Sequence, residues 1–176
     1  SAQEASLPSL LPYLDQLAEK HNLNREALVS LIAHESAFNK LAVSSAGAMG
    51  LMQVMPETAR KVAEKYMGAF DQAEYASMEM RYNMELGTQL MVELLGRYKN
   101  NWQQMLADWN GGPRQAMKLE QGEGLGSLHP ETAGLVDDVT QKYLRLDAAM
   151  KNATATTSEL NDETRLENEL QSAVAA

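Results

Sequence analysis

Cysteine is absent from the 176 residues, which excludes disulfides and thiolate metal sites. The lack leaves the compartment open, although it is compatible with an oxidising one. Histidine occurs only as His21, His34 and His129, a spacing that gathers no metal site, so neither a bound metal nor zinc-peptidase chemistry is expected. No glycine-rich phosphate loop is present, and no other cofactor signature. No run of about 18 apolar residues exists to make a membrane-crossing helix. The first residues carry neither a basic nor an apolar leader region, and Ser1 fits a processed or excised fragment. Basic residues are in short supply: 15 Lys and Arg face 24 Asp and Glu, a net charge of −9. Nucleic acids and anionic membranes need a basic face, so both are excluded as partners.

What is present is helical periodicity, in a chain long enough to bury one real core. Leu10, Leu11, Leu14, Leu17 and Ala18 form a first amphipathic stripe, with Pro8 and Pro12 near its start. A second helix begins after Asn24, whose side chain suits an N-cap. Pro56 fits the first position of a helix running to about Tyr66, and Leu86, Leu90, Met91, Leu94 and Leu95 recur at helical spacing between Asn83 and Tyr98. Trp102 to Trp109 is a helix stopped by Asn110-Gly111-Gly112-Pro113, and Pro130 opens a last core helix through Leu135, Val136, Val139, Tyr143 and Leu146. Between Ser44 and Gln53 the period breaks, and Gly47 and Gly50 indicate tight turns or a small hairpin. After Met150 the composition shifts to Asn, Thr, Ala, Ser and Glu. Residues 1–150 are therefore expected to form one domain. Residues 151–176 are expected to form a polar acidic tail, in which Leu160, Leu166 and Leu170 are too sparse for a core and a helix would need a partner, such as a larger assembly.

Within this pattern Glu35 is the informative residue. It stands three, four and seven places after Ile32, Leu31 and Leu28, and so extends their apolar stripe. A carboxyl group placed there is either desolvated, which raises its pKa and keeps it protonated near neutral pH as a general acid, or turned out at the helix end to solvent or a nearby Lys. His34 is its chain neighbour, but neighbours on a helix point about 100° apart, so His34 reads as a flank residue.

Three segments join Glu35. Glu35-Ser36-Ala37-Phe38-Asn39 continues through Ser44 into Gly47-Ala48-Met49-Gly50-Leu51-Met52-Gln53-Val54-Met55-Pro56-Glu57-Thr58-Ala59; Asn83-Met84-Glu85-Leu86-Gly87 follows; Trp109-Asn110-Gly111-Gly112-Pro113 precedes Pro130-Glu131-Thr132. From about Leu7 to Leu146 the chain closely resembles the transglycosylase domain of the soluble lytic transglycosylases, whose mainly α fold is similar to goose-type lysozyme. A run this long at fixed spacing is far more specific than a short motif.

The resemblance implies peptidoglycan glycan strands as substrate and the bond between N-acetylmuramic acid (MurNAc) and N-acetylglucosamine (GlcNAc) as target, cleaved in the periplasm or cell wall. It implies Glu35 as the single catalytic residue, protonating the glycosidic oxygen and then deprotonating the sugar's own 6-hydroxyl, which closes a 1,6-anhydro ring. One carboxylate suffices because the nucleophile is internal to the substrate and already close. Ser44, Gln53 and Met55 match cleft-lining positions; Ser44 also fits a plain turn serine. Trp109 stands where the family has Tyr, which keeps the flat face and loses the phenol oxygen, and Asn110 matches a hydrogen-bonding residue. Glu131 fits the family's Glu-Thr pair, or equally a first-turn carboxylate favoured by the helix dipole. Leu135 replaces another usual Tyr.

Asp108, where the family tends to have a small residue, is either a solvated surface group or a cleft carboxylate able to activate water. Two further readings therefore stand beside the lyase: a hydrolytic muramidase assisted by Asp108, and a glycan-binding or structural part of a wall-crossing phage or secretion machine. The acidic charge separates this chain from basic, freely diffusing lysozymes and points to delivery by tethering or assembly, through export or within a phage particle.

Overall fold

A computed structural model describes residues 7–155 and 162–175. Among them the fold is all helix: α1 (Leu7–Lys20), α2 (Arg25–Ser36), α3 (Pro56–Tyr66), α4 (Gln72–Ala76), α5 (Met80–Arg97), α6 (Trp102–Gly111), α7 (Pro113–Glu120), a 3₁₀ turn at Leu125–Ser127, α8 (Pro130–Ala155) and α9 (Asp162–Ala175). Local chemistry sets the ends. Asn24 caps α2 by accepting the Ala27 N–H at 3.0 Å. Pro56, Pro113 and Pro130 each occupy a first helical position, where the missing N–H has no partner to lose. Asp71 caps α4, a short helix without a sequence signal of its own. Pro12 lies inside α1 instead of at its start, where the carbonyl it leaves unpaired is that of Pro8, still in the first turn.

Helix α2 is the centre of the molecule. Every residue from Ala27 to Ala33 is buried, so it is enclosed on all sides instead of showing the one apolar stripe read from its sequence. α1, α8 and α9 pack around it. Glu35 thus reaches a protein-lined position because the middle of its helix is interior.

The C-terminal residues also differ from expectation. α8 runs without a break past Met150 to Ala155, and Leu166 and Leu170 of α9 are fully buried. Their spacing of four places both on one face, and the surface that receives them is supplied by α1, α2 and α8 of the same chain. Leu166 and Leu170 therefore belong to the core, and position 150 is not an edge of the packed structure. Leu160 lies outside the described residues.

The expected turn element is the segment 39–55. It forms no strand, only antiparallel bridges of Met49 with Val43 and Val54. Its shape is imposed by side chains from elsewhere. Asn83 on α5 accepts the Met52 N–H at 2.8 Å and donates to the Met49 carbonyl at 2.9 Å. Tyr75 on α4 donates to the Val54 carbonyl at 2.7 Å. Gly50, at φ +80°, and Gly87 are required by close approach: a Cβ would overlap the Asn83 carboxamide at the first and Met52 at the second.

Candidate active site

Glu35 lies in the last turn of α2, and the chain then leaves through two consecutive left-handed residues, Ala37 (φ 49°) and Phe38 (φ 61°). Left-handed conformations are uncommon outside glycine and gather at functional sites. Phe38 is held there by burial in the core. Burial pushes the Glu35 carboxyl up to about 7; a hydrogen bond with the Trp109 side chain favours its charged form, and the nearby negative charge of Glu131 opposes it. Desolvation is the largest of the three influences, so this carboxyl can hold its proton at neutral pH and release it without a large energy change.

Trp109 and Asn110 come from the end of α6, and Glu131 from the start of α8. These helix ends meet closely because Gly111 has no side chain where it faces the start of α8. A Cβ on Gly111 would overlap the Thr132 hydroxyl, and Gly112 adopts φ +86°. Across the junction, Thr132 donates to Asn110 Oδ1 at 2.7 Å and Asn110 Nδ2 donates to Glu131 Oε1 at 3.3 Å. Glu35, Trp109, Asn110, Glu131 and Thr132 therefore form one cluster from three helices. At position 109 the side chain's one donor is the indole N–H, which favours the charged form of Glu35. The phenol missing at 135 is not replaced: Leu135 is buried in the core.

Ser44, Gln53 and Met55 sit on the neighbouring segment 39–55, and no hydrogen bond joins them to the Glu35 cluster among the described residues. The Ser44 hydroxyl accepts the Ala48 N–H at 3.0 Å, and its own N–H donates to the Ala48 carbonyl at 2.9 Å, a turn-closing arrangement. Gln53, at φ 51°, gives its side-chain N–H groups to the carbonyls of Ala42 (3.0 Å) and Gly50 (2.9 Å), leaving its oxygen as an acceptor. Met55 is exposed, as are Leu41 and Val43, so the segment carries an apolar rim.

Asp108 is neither of the things expected. Its carboxylate is 9% exposed, accepts from the Tyr98 hydroxyl, and pairs with Arg97 Nη1 at 3.0 Å. Two donors from the end of α5 and its flank hold it, so it anchors α6 and is not a free base; the same contact pushes the Tyr98 phenol up to about 12, with burial the larger cause.

Sequence reasoning gave no role to Asn83, Tyr75 or Asp138. Asn83 was visible within its motif; for Tyr75 no signal existed; Asp138 lies seven residues, nearly two turns, after Glu131 on α8. An apolar cavity of about 240 Å³ opens at the other end of α2, between Ala27, Trp102, Leu106, Val139 and Tyr143. Apart from Tyr143 it has no titratable lining group.

A family model, the transglycosylase SLT domain, matches residues 12–130, which is α1 through the first residue of α8. The chain belongs to this family. Across 76% of the chain this SLT domain is 31% identical to a protein of Haemophilus influenzae named as a soluble lytic murein transglycosylase, of which it spans 22%. Two solved structures share its fold. One is an inactive mutant of the lytic transglycosylase Slt from Pseudomonas aeruginosa (TM-score 0.69, 24% identity, 80% of this chain and 24% of that one). The other is the 70 kDa soluble lytic transglycosylase of Escherichia coli (TM-score 0.64, 20% identity, 86% of this chain and 25% of that one). The SLT domain thus corresponds to a fraction of each of these larger proteins.

Proposed function

We propose that this SLT domain cleaves the MurNAc–GlcNAc β-1,4 bond of peptidoglycan as a lytic transglycosylase, with Glu35 as its single acid and base. The observation that carries the reading is the partly buried Glu35 carboxyl, pushed up to about 7 in a cluster that supplies one donor and one opposing charge. Glu35 gives its proton to the glycosidic oxygen as the C1–oxygen bond breaks. The resulting carboxylate takes the proton of the 6-hydroxyl as that oxygen bonds to C1. The 1,6-anhydro ring closes, Glu35 is protonated again, and no water is consumed. The lyase reading is further supported by the state of Asp108, since the carboxylate that a water-activating route would have used is held by Arg97 and Tyr98.

On this reading Trp109 orients Glu35, and Asn110 fixes Glu131 beside it. The exposed rim with Met55 meets sugar faces, Gln53 offers its oxygen to an acetamido N–H, and Ser44 offers its hydroxyl hydrogen. The substrate locates the action in the periplasm or cell wall, reached by export or within a phage particle.

Purified peptidoglycan digested by the wild type and by Glu35→Gln, with products identified by mass spectrometry, tests the proposal. Anhydro ends from the wild type alone are expected. Products one water heavier would replace the lyase by a muramidase. Glycan binding without products would leave a binding or structural domain.

A further inference from the structure

The Glu35–Glu131 approach has a companion between the same two helices. His34 Nδ1 lies 2.6 Å from Asp138 Oδ2, and the other oxygen of Asp138 accepts from Lys142 Nζ at 2.9 Å. Asp138 follows Glu131 by seven residues, which puts both carboxylates on nearly the same side of α8, about 10 Å apart along its axis. α2 and α8 therefore carry two rungs: one is the His34–Asp138 contact, and the other is the charge of Glu131 acting on Glu35. The 100° step between His34 and Glu35 keeps His34 away from the reacting atoms while tying down the same helical turn.

We propose that the His34–Asp138 hydrogen bond is a positioning device, which fixes the last turn of α2 against the first turns of α8 and so holds Glu35 and Glu131 facing one another. Three observations support it. The turn it grips is followed at once by the left-handed pair Ala37–Phe38, so no continuing helix steadies Glu35 from the C-terminal side. Lys142 fixes the Asp138 carboxylate from within α8, and its side chain is 12% exposed, which limits its freedom. Burial acts to raise the Asp138 carboxyl, yet the hydrogen bonds from His34 and Lys142 hold it below the usual carboxylate range, so it stays a charged acceptor. The groups that bear on the two rungs are Asp138, Lys142 and Glu131 on α8, His34 and Glu35 on α2, and Trp109 on α6.

The proposal rests on the reading of Glu35 as the acid, but its test does not need catalysis. The Glu35 carboxyl is titrated by ¹³C NMR in the full chain, in the wild type, Asp138→Asn, Asp138→Ala, Glu131→Gln, and the last two combined. Removing the rung lets Glu35 move away from Glu131 and toward water, so Asp138→Ala should lower its midpoint by about half a pH unit or more. Asp138→Asn should leave the midpoint in place, because the amide oxygen still accepts from the imidazole N–H. In the Glu131→Gln background, Asp138→Ala should produce a smaller shift, the part that comes from exposure to water.

A midpoint that stays put in Asp138→Ala while only thermal stability falls would overturn the proposal, making the pair an ordinary surface contact. Equal shifts in Asp138→Asn and Asp138→Ala would overturn it too, since the charge of Asp138 would then act through space. So would an undiminished shift without Glu131. If Asp138→Ala does not fold, His34→Ala against His34→Gln makes the same comparison from α2. Failure of the reading of Glu35 would show separately, as cleavage by Glu35→Gln.

Discussion

Replacing Glu35 by Gln should stabilise the protein, and by an amount that depends on pH. In the folded chain the carboxyl titrates at about 7 against an ordinary 4.5. Between those values the folded state holds a proton that the unfolded chain has released. Wild-type stability therefore falls as pH rises from about 4.5 to about 7, and is flat on either side of that window. At 1.36 kcal/mol for each pH unit, the full difference is on the order of 3 kcal/mol. Glu35 is only partly buried, and local relaxation toward water should bring this nearer to about 2 kcal/mol. Glutamine has nearly the same shape and never ionises, so Glu35→Gln should match the wild type near pH 4 and exceed it by about 2 kcal/mol at pH 8. For a chain of this size that is roughly 4–8 °C in melting temperature. Urea unfolding of both proteins at several pH values measures it. An equal stability difference at pH 4 and pH 8 would refute the argument, because the carboxyl would then titrate normally and could not be the poised acid.

Activity, measured as kcat/KM on peptidoglycan, should fall as pH rises through about 7, where Glu35 loses its proton. Glu131→Gln should move that limb to lower pH by removing a like charge, whereas Trp109→Phe should move it higher by removing the donor that favours the carboxylate; the opposite signs are the check. Asn83→Ala should leave the Met52 N–H unpaired and the Met49 carbonyl with the Val54 N–H alone, costing about 1–3 kcal/mol in denaturant unfolding and reducing activity even in protein that remains folded. Leu170→Ala should cost about 2–5 kcal/mol because its side chain is fully buried, and a loss under about 0.5 kcal/mol would mean that α9 does not pack as described.

Much of the chemistry was legible in sequence because it depends on local rules. The cap at Asn24, the prolines at helix starts and the stop at Gly111-Gly112 act within a few residues of where they stand. The burial of Glu35 was also expected, although for an incomplete reason: its position follows from the middle of α2 being enclosed all round, which depends on α8 and α9 arriving from more than 90 residues away. The link from His34 to Asp138 needs the alignment of those two helices, and no periodicity reveals it. Asp108 was misread because its partners, Arg97 and Tyr98, lie across a helix junction. Leu166 and Leu170 were discounted because two leucines four apart are a weak signal until a receiving surface is known.

The segment 39–55 is held by its backbone: Asn83, Tyr75 and Gln53 grip carbonyls and an amide, while Leu41, Val43 and Met55 stay exposed and bear none of that load. On the proposed function, form and recognition are thereby uncoupled. The fastenings need particular residues at 50, 53, 75, 83 and 87, whereas the outward side chains can be exchanged one at a time without redrawing the wall on which they stand. Preference among glycan strands of different decoration can then drift, or be engineered, at three positions while the proton chemistry behind them is left alone.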